Sequence, residues 1–120
     1  MSAFAASQLA ELASCAEVTI RTERHPDTPV VIWIVVDGGE VFVRSVKGGK
    51  GRWFRDLKGG GNASLEWGRE RVPVAAIPAT DADSVARASG QYLAKYRTSP
   101  YAEPMTRTEV LPTTLRLGPR

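Results

Sequence analysis

Seven consecutive apolar residues, Val30-Val-Ile-Trp-Ile-Val-Val36, are followed at once by Asp37-Gly38-Gly39. A run this short, bounded by turn signals and rich in β-branched side chains, predicts a strand buried on both faces rather than a helix. Asp-Gly-Gly is a hairpin signal, because the central residues of such a turn need backbone angles that glycine adopts without strain. Val41-Phe-Val-Arg-Ser-Val46 then returns as the partner strand. Alternation puts Phe42, Arg44 and Val46 on one of its faces and Val41, Val43 and Ser45 on the other. A chain built round that hairpin is first of all a β-sheet protein.

The remaining pattern adds strands and a few helices to it. Ser7 is a helix cap, with Leu9, Leu12, Ala13 and Ala16 at helical spacing behind it. Val18 to Arg24 alternates as a half-buried strand, and the two prolines of His25-Pro-Asp-Thr-Pro29 end it. Trp53 to Lys58 predicts a short helix. Ala63–Trp67 and Val72–Ile77 predict a second hairpin around Gly68, with Pro73 implying an edge position or a bulge. Thr80, followed by Asp81 and Asp83, opens a helix reaching about Arg97, with Ala82, Val85, Ser89, Tyr92, Leu93 and Tyr96 on its packing face. Thr108 to Leu117 predicts a last strand broken by Pro112. The expected fold is mainly β with helices (α+β), a curled antiparallel sheet or small barrel with helices packed outside.

Length and composition set the outer limits. A chain of 120 residues suits one domain with one real core. Hydrophobic residues at 42% and charged residues at 24% are globular rather than disordered composition. The longest apolar run falls far short of the ~20 residues that cross a bilayer, so no membrane partner is expected. Met1-Ser-Ala-Phe-Ala-Ala-Ser7 has no basic segment ahead of its apolar stretch, and Glu11 follows it; no secretory signal is expected, and the cytoplasm is the expected compartment. Cys15 is the sole cysteine, which excludes an internal disulfide or a multi-cysteine metal site, and no metal is expected.

Charge is where the sequence departs from the ordinary. Arg44, Lys47, Lys50, Arg52, Arg55 and Lys58 face only Asp56 within their own stretch, six cations against one carboxylate, a local +5. By difference from the chain's +3, everything else carries −2. Such a concentrated charge suggests an anion site rather than a generally adhesive surface. Arg44-Ser-Val-Lys-Gly-Gly-Lys-Gly-Arg-Trp53 places a strand end, a glycine loop and a helix start in succession. Inward-turned backbone N–H groups there can hold a phosphate. Lys47, Lys50 and Arg52 would add charge-assisted bonds, and Trp53 could stack on a ring. The segment is not the Gly-x-x-x-x-Gly-Lys-Ser/Thr phosphate loop, and its plain alternative is a solvated basic loop that uses glycine only to turn.

Other reactive residue types read more simply. His25 in a proline-flanked loop is expected to be solvated, Cys15 to be a small packing residue, and Asp81 with Asp83 to serve helix capping. Tyr92, Lys95 and Tyr96 read as packing with a snorkelling lysine, and Trp33 and Trp67 as core or interface. Nucleic acid is disfavoured as a partner because the rest of the chain is net negative and carries no familiar binding motif.

Trp33 in its apolar strand, the Asp-Gly turn, Val-Phe-Val-Arg-Ser, Gly-Gly-Lys-Gly-Arg-Trp, Tyr92-Leu-Ala-Lys-Tyr96 and Thr113-Thr-Leu-Arg-Leu117 together resemble an uncharacterised bacterial family. That family is similar to the split β-barrel flavin-binding proteins, relatives of pyridoxamine phosphate oxidase and of the deazaflavin-dependent nitroreductases. The resemblance implies a split β-barrel over residues 18–118 within a single domain, residues 1–120, whose N-terminal helix falls in 1–16. It implies a homodimer and a cofactor, flavin mononucleotide (FMN) or the deazaflavin F420, with an oxidoreductase activity of unknown substrate. Carried over residue by residue, Arg44, Ser45, Lys47, Gly49 and Lys50 would hold the cofactor phosphate, with Arg52 and Trp53 alongside. Arg52 stands where the deazaflavin enzymes typically have proline. A flavin ring carries the hydride itself, so no acid–base pair is demanded of the chain. The alternative is a non-catalytic module binding a phosphorylated metabolite or another anion.

Overall fold

The computed structural model describes residues 3–120; Met1 and Ser2, the start of the expected 1–16 segment, lie outside the described residues. In chain order the elements are α1 (Ala6–Ser14), β1 (Val18–Thr22), β2 (Val30–Ile32), β3 (Val35–Asp37), β4 (Glu40–Val43), α2 (Arg52–Leu57), β5 (Gly61–Trp67), β6 (Glu70–Pro78), α3 (Ala82–Lys95) and β7 (Leu115–Pro119). The strands form one antiparallel seven-stranded sheet in the order β2-β1-β5-β6-β7-β4-β3. The protein is thus α+β, a curled sheet with three helices.

The order explains what became of the apolar run. Its first half pairs with β1 and its second with β4, so the two edge strands of the sheet are halves of one segment that bends at Trp33-Ile34. This corrects the expectation of a single strand buried on both faces. Ile32, Ile34 and Val35 are buried, but Val31 is 60% exposed and Trp33 only half-buried. The hydrophobic pattern reports that the segment is extended; it does not report that it must bend to serve both ends of a curled sheet.

The hairpin itself forms as expected. Val35 pairs with Phe42 and Asp37 with Glu40, and Gly38 and Gly39 take positive φ values of 57° and 86° at the turn. Alternation along β4 then divides the protein into two packing layers. Val41 and Val43 face the inside of the curl, with Leu12 of α1 and Phe54 and Leu57 of α2 in the same cluster. Phe42 faces outward into a second cluster with Ala88, Tyr92 and Tyr96 of α3. Arg44, two residues on, shares the Phe42 face and is therefore delivered beneath α3.

Four details differ from expectation for identifiable reasons. The partner strand ends at Val43 rather than Val46, where Arg44 and Ser45 exchange ladder bonds for contacts with Thr113 and Thr114. Pro73 lies on β6, an interior strand; its carbonyl accepts the Arg120 N–H at 3.1 Å where β7 runs out, so its missing N–H breaks no further ladder bond. The expected final strand from Thr108 begins only at Leu115, because Leu111–Thr113, which contains Pro112, winds into a 3₁₀ turn. Helix α3 is capped by Asp81 rather than Thr80, its carboxylate accepting the Ser84 N–H at 3.0 Å.

Candidate functional site

Arg44 is the most deeply buried of the cations expected to bind phosphate, at 1% exposure. Its guanidinium is already spent on the protein. Nε donates to Thr114 Oγ1 at 2.9 Å, and one terminal nitrogen donates to Ser89 Oγ at 2.9 Å and the Met105 carbonyl at 3.0 Å. The other reaches the Val85 carbonyl at 2.9 Å. The Tyr92 ring lies 5.5 Å below the charge. None of these acceptors is a carboxylate, and burial pushes the guanidinium pKa down. Arg44 is an internal tie between β4, α3 and the C-terminal turns.

The glycine loop is also less open than its sequence suggests. Gly48, Lys50 and Gly51 donate their N–H groups to Ser45, Lys47 and Gly48 carbonyls, closing a 3₁₀ turn over Gly48–Lys50. These backbone donors therefore do not form the expected phosphate nest. Two glycines are there for close approach: a Cβ on Gly48 would meet the Glu109 carbonyl at 3.2 Å, and one on Gly51 would collide with Ser45 Oγ. Gly49 and Lys50 are exposed and are not among the residues that line the cleft described next.

What the structure does bring together is a cleft of about 610 Å³ between the bent strand and this loop. Val30, Val31, Ile32 and Trp33 line it from the bent strand, and Ser45, Val46, Lys47, Gly51, Arg52 and Trp53 from the loop and the start of α2; Tyr101 and Met105 also line it, and Glu17 is its single carboxylate. Of the expected site residues, Ser45, Lys47, Arg52 and Trp53 thus share a cavity, and Arg44 contributes to its lining while its charge is tied up internally. The volume lies in the range of pockets that enclose small molecules.

Trp33 is the cleft feature that sequence reasoning missed. Its ring stacks on Tyr96 at a centroid separation of 3.8 Å and an interplanar angle of 3°. Tyr96 covers one indole face, and the half-buried Trp33 is among the residues that line the cleft. Tyr96 is held in turn: its hydroxyl donates to the Ala16 carbonyl at 2.8 Å and accepts the Ile34 N–H at 3.3 Å, and burial pushes its pKa up to about 12. Lys95 Nζ bonds the carbonyls of Leu12 at 2.9 Å and Ile34 at 2.6 Å, and burial pushes its pKa down. Tyr92, Lys95 and Tyr96 are therefore packing residues, with Tyr96 also backing the cleft wall. A tryptophan inside an apolar run gives no sign of which face it will present.

His25 and Asp56 form a pair that the sequence did not suggest. Asp56 Oδ2 lies 2.7 Å from Thr22 Oγ1, 2.7 Å from His25 Nδ1 and 3.4 Å from the Arg52 guanidinium. Burial alone would raise the Asp56 pKa, but bonds from Thr22 and His25 and the charges of His25 and Arg52 outweigh it and leave it lowered. The tie clamps α2 to the loop after β1 and steadies Arg52 at the cleft edge, where Arg52 also reaches the Thr28 carbonyl at 3.4 Å. Among the described residues no three His, Cys, Asp or Glu side chains are grouped as metal ligands, and no helix is long and apolar enough to cross a membrane.

Residues 8–117 match the model of a family described as an uncharacterized protein conserved in bacteria, DUF2255. The chain belongs to this family. The match covers β1 to β6 and most of β7 and α1, so both cleft walls lie inside the family's shared region. No curated protein matches the chain.

Proposed function

We propose that the cleft binds a planar heterocycle bearing a phosphate, of the flavin mononucleotide or deazaflavin kind, in a split β-barrel protein with oxidoreductase-like chemistry. The observation that carries this reading is the meeting, in the lining of one cavity, of Trp33 with Ser45, Lys47 and Arg52. An aromatic wall accepts a ring, and cations beside a hydroxyl accept a phosphate. The bent segment that serves both ends of the sheet supports the split-barrel assignment. Val31, Val46 and Tyr101, exposed by 60%, 54% and 65%, rim the cleft and suit coverage by a second copy, so the reading includes a homodimer.

Titration of the protein into FMN, and separately into the deazaflavin, tests the proposal by absorbance and fluorescence. Saturable micromolar binding is expected, weakened about tenfold by Lys47→Ala through loss of a charge-assisted phosphate bond. Absence of binding by both cofactors overturns it. Binding of phosphates and nucleotides without preference for a flavin, and without reduction by a nicotinamide donor, would instead leave an anion-binding module.

A further inference from the structure

His25 is the only histidine of the chain, and it is joined to a cleft residue through one carboxylate. Its Nδ1 lies 2.7 Å from Asp56 Oδ2, the same oxygen that the Arg52 guanidinium reaches at 3.4 Å, and Arg52 lines the cleft. The Asp56 side chain is 7% exposed, those of His25 and Arg52 44% and 32%. Against a carboxylate at 2.7 Å, Nδ1 carries a proton in both charge states of the ring, so Nε2 is the nitrogen that titrates. Asp56 itself, held below the usual carboxylate range, stays charged wherever histidine titrates. Thr22 also donates to this oxygen but brings no charge. From β1, Arg21 bonds the Pro26 carbonyl of the same loop and is already paired with Glu66. Arg24 and Asp27, on either side of His25 in sequence, carry opposite charges.

Arg52 is held here only by long contacts, 3.4 Å to Asp56 and 3.4 Å to the Thr28 carbonyl. A proton arriving on His25 gives Asp56 a full counter-charge at the shorter distance, which weakens its claim on Arg52. It also raises the positive charge beside this cleft residue by one. Both effects favour an anion in the cleft. We propose that His25 is a pH-sensitive control on the anion affinity of the cleft, acting through Asp56 on Arg52, so that an anionic group binds more tightly as pH falls through the histidine range. This rests on the reading of the cleft as an anion-binding site, and it adds how that site is regulated.

Sulfate is the probe, because its own charge is constant over the range in which histidine titrates. Calorimetric titration at fixed ionic strength is expected to give about threefold tighter binding near pH 5.5 than near pH 7.5, the scale of one partly exposed charge contact. Linkage is reciprocal, so saturating sulfate is expected to raise the His25 pKa by about half a unit. Proton NMR reads that shift directly, since a single histidine supplies the ring signals. His25→Asn keeps a donor near the Nδ1 position and has nothing to titrate; its sulfate affinity is expected to be the same at both pH values. A wild type with equal affinities, a His25 titration unmoved by sulfate, or a pH effect that persists in H25N overturns the inference. If sulfate binds in a Lys47-dependent way with no pH effect, the His25 inference fails alone. If sulfate binds at neither pH, the reading of the cleft as an anion site fails with it.

Discussion

At the scale of single residues, Arg44 and Tyr92 make opposite predictions from one contact. Arg44→Met keeps the aliphatic stem and removes a guanidinium that satisfies Thr114 Oγ1, Ser89 Oγ and two carbonyls. Buried acceptors left without donors cost roughly 1–3 kcal/mol each, and partial relaxation leaves an expected net loss of about 3 kcal/mol by urea denaturation. The Tyr92 hydroxyl, by contrast, is the one buried side-chain polar atom with no hydrogen-bond partner among the described residues. Tyr92→Phe removes an unsatisfied group, and stability is expected to hold or rise by up to about 1 kcal/mol. A loss comparable to that of R44M would mean that the hydroxyl has a partner after all. The sequence placed Arg44 and Lys47 in one list because both are basic and three residues apart. What separates them is strand alternation carried to its consequence: the Phe42 face lies under α3, so Arg44 is enclosed, while Lys47 is past the strand end and free to line the cleft.

At the scale of elements, the β3–β4 hairpin is joined to α3 by charge. Arg87 contacts Asp37, Glu40 and Asp83, and Gln91 Nε2 donates to Asp37 at 2.8 Å. The Arg87 and Gln91 bonds hold the Asp37 carboxyl below its usual range. A carboxylate whose folded pKa is depressed contributes stability that is complete above its unfolded pKa and is lost as pH falls through the folded value. The urea midpoint is therefore expected to drop as pH falls below about 4. Asp37→Asn should give a lower neutral plateau and a shallower acid decline, and adding Asp56→Asn should flatten it further. An acid limb of unchanged steepness in D37N would rule out this source. The hairpin was legible because its turn chemistry is local: Asp-Gly-Gly dictates the backbone wherever the strands lie. Its docking on α3 was not, since Asp37 and Arg87 are fifty residues apart and nothing in either neighbourhood names the other. The same limit hid His25–Asp56 and turned the expected strand at Thr108 into a 3₁₀ turn packed under Arg44.

At the scale of the whole molecule, the sheet depends on one seam. Both edge strands come from Val30–Asp37, and the bend between them is fastened at Ile34, which is fully buried. Its N–H donates to the Tyr96 hydroxyl, and its carbonyl accepts from Lys95 Nζ at 2.6 Å. The same two side chains reach Leu12 and Ala16, so α1 is fastened at that point as well. Tyr96→Phe keeps the ring stacked on Trp33 but leaves the Ala16 carbonyl and the Ile34 N–H without this partner. Opening the seam would loosen β2 and β3 together, since both strands run out of it. The expected result is a loss of about 1–3 kcal/mol with an unchanged urea m-value. Tryptophan fluorescence and far-ultraviolet circular dichroism should trace coincident transitions, because the surface exposed on unfolding is still that of the whole sheet. Transitions that separate, with fluorescence changing first, would instead mean that the Trp33 wall opens as a local unit. The cleft would then form and dissolve independently of the sheet that frames it.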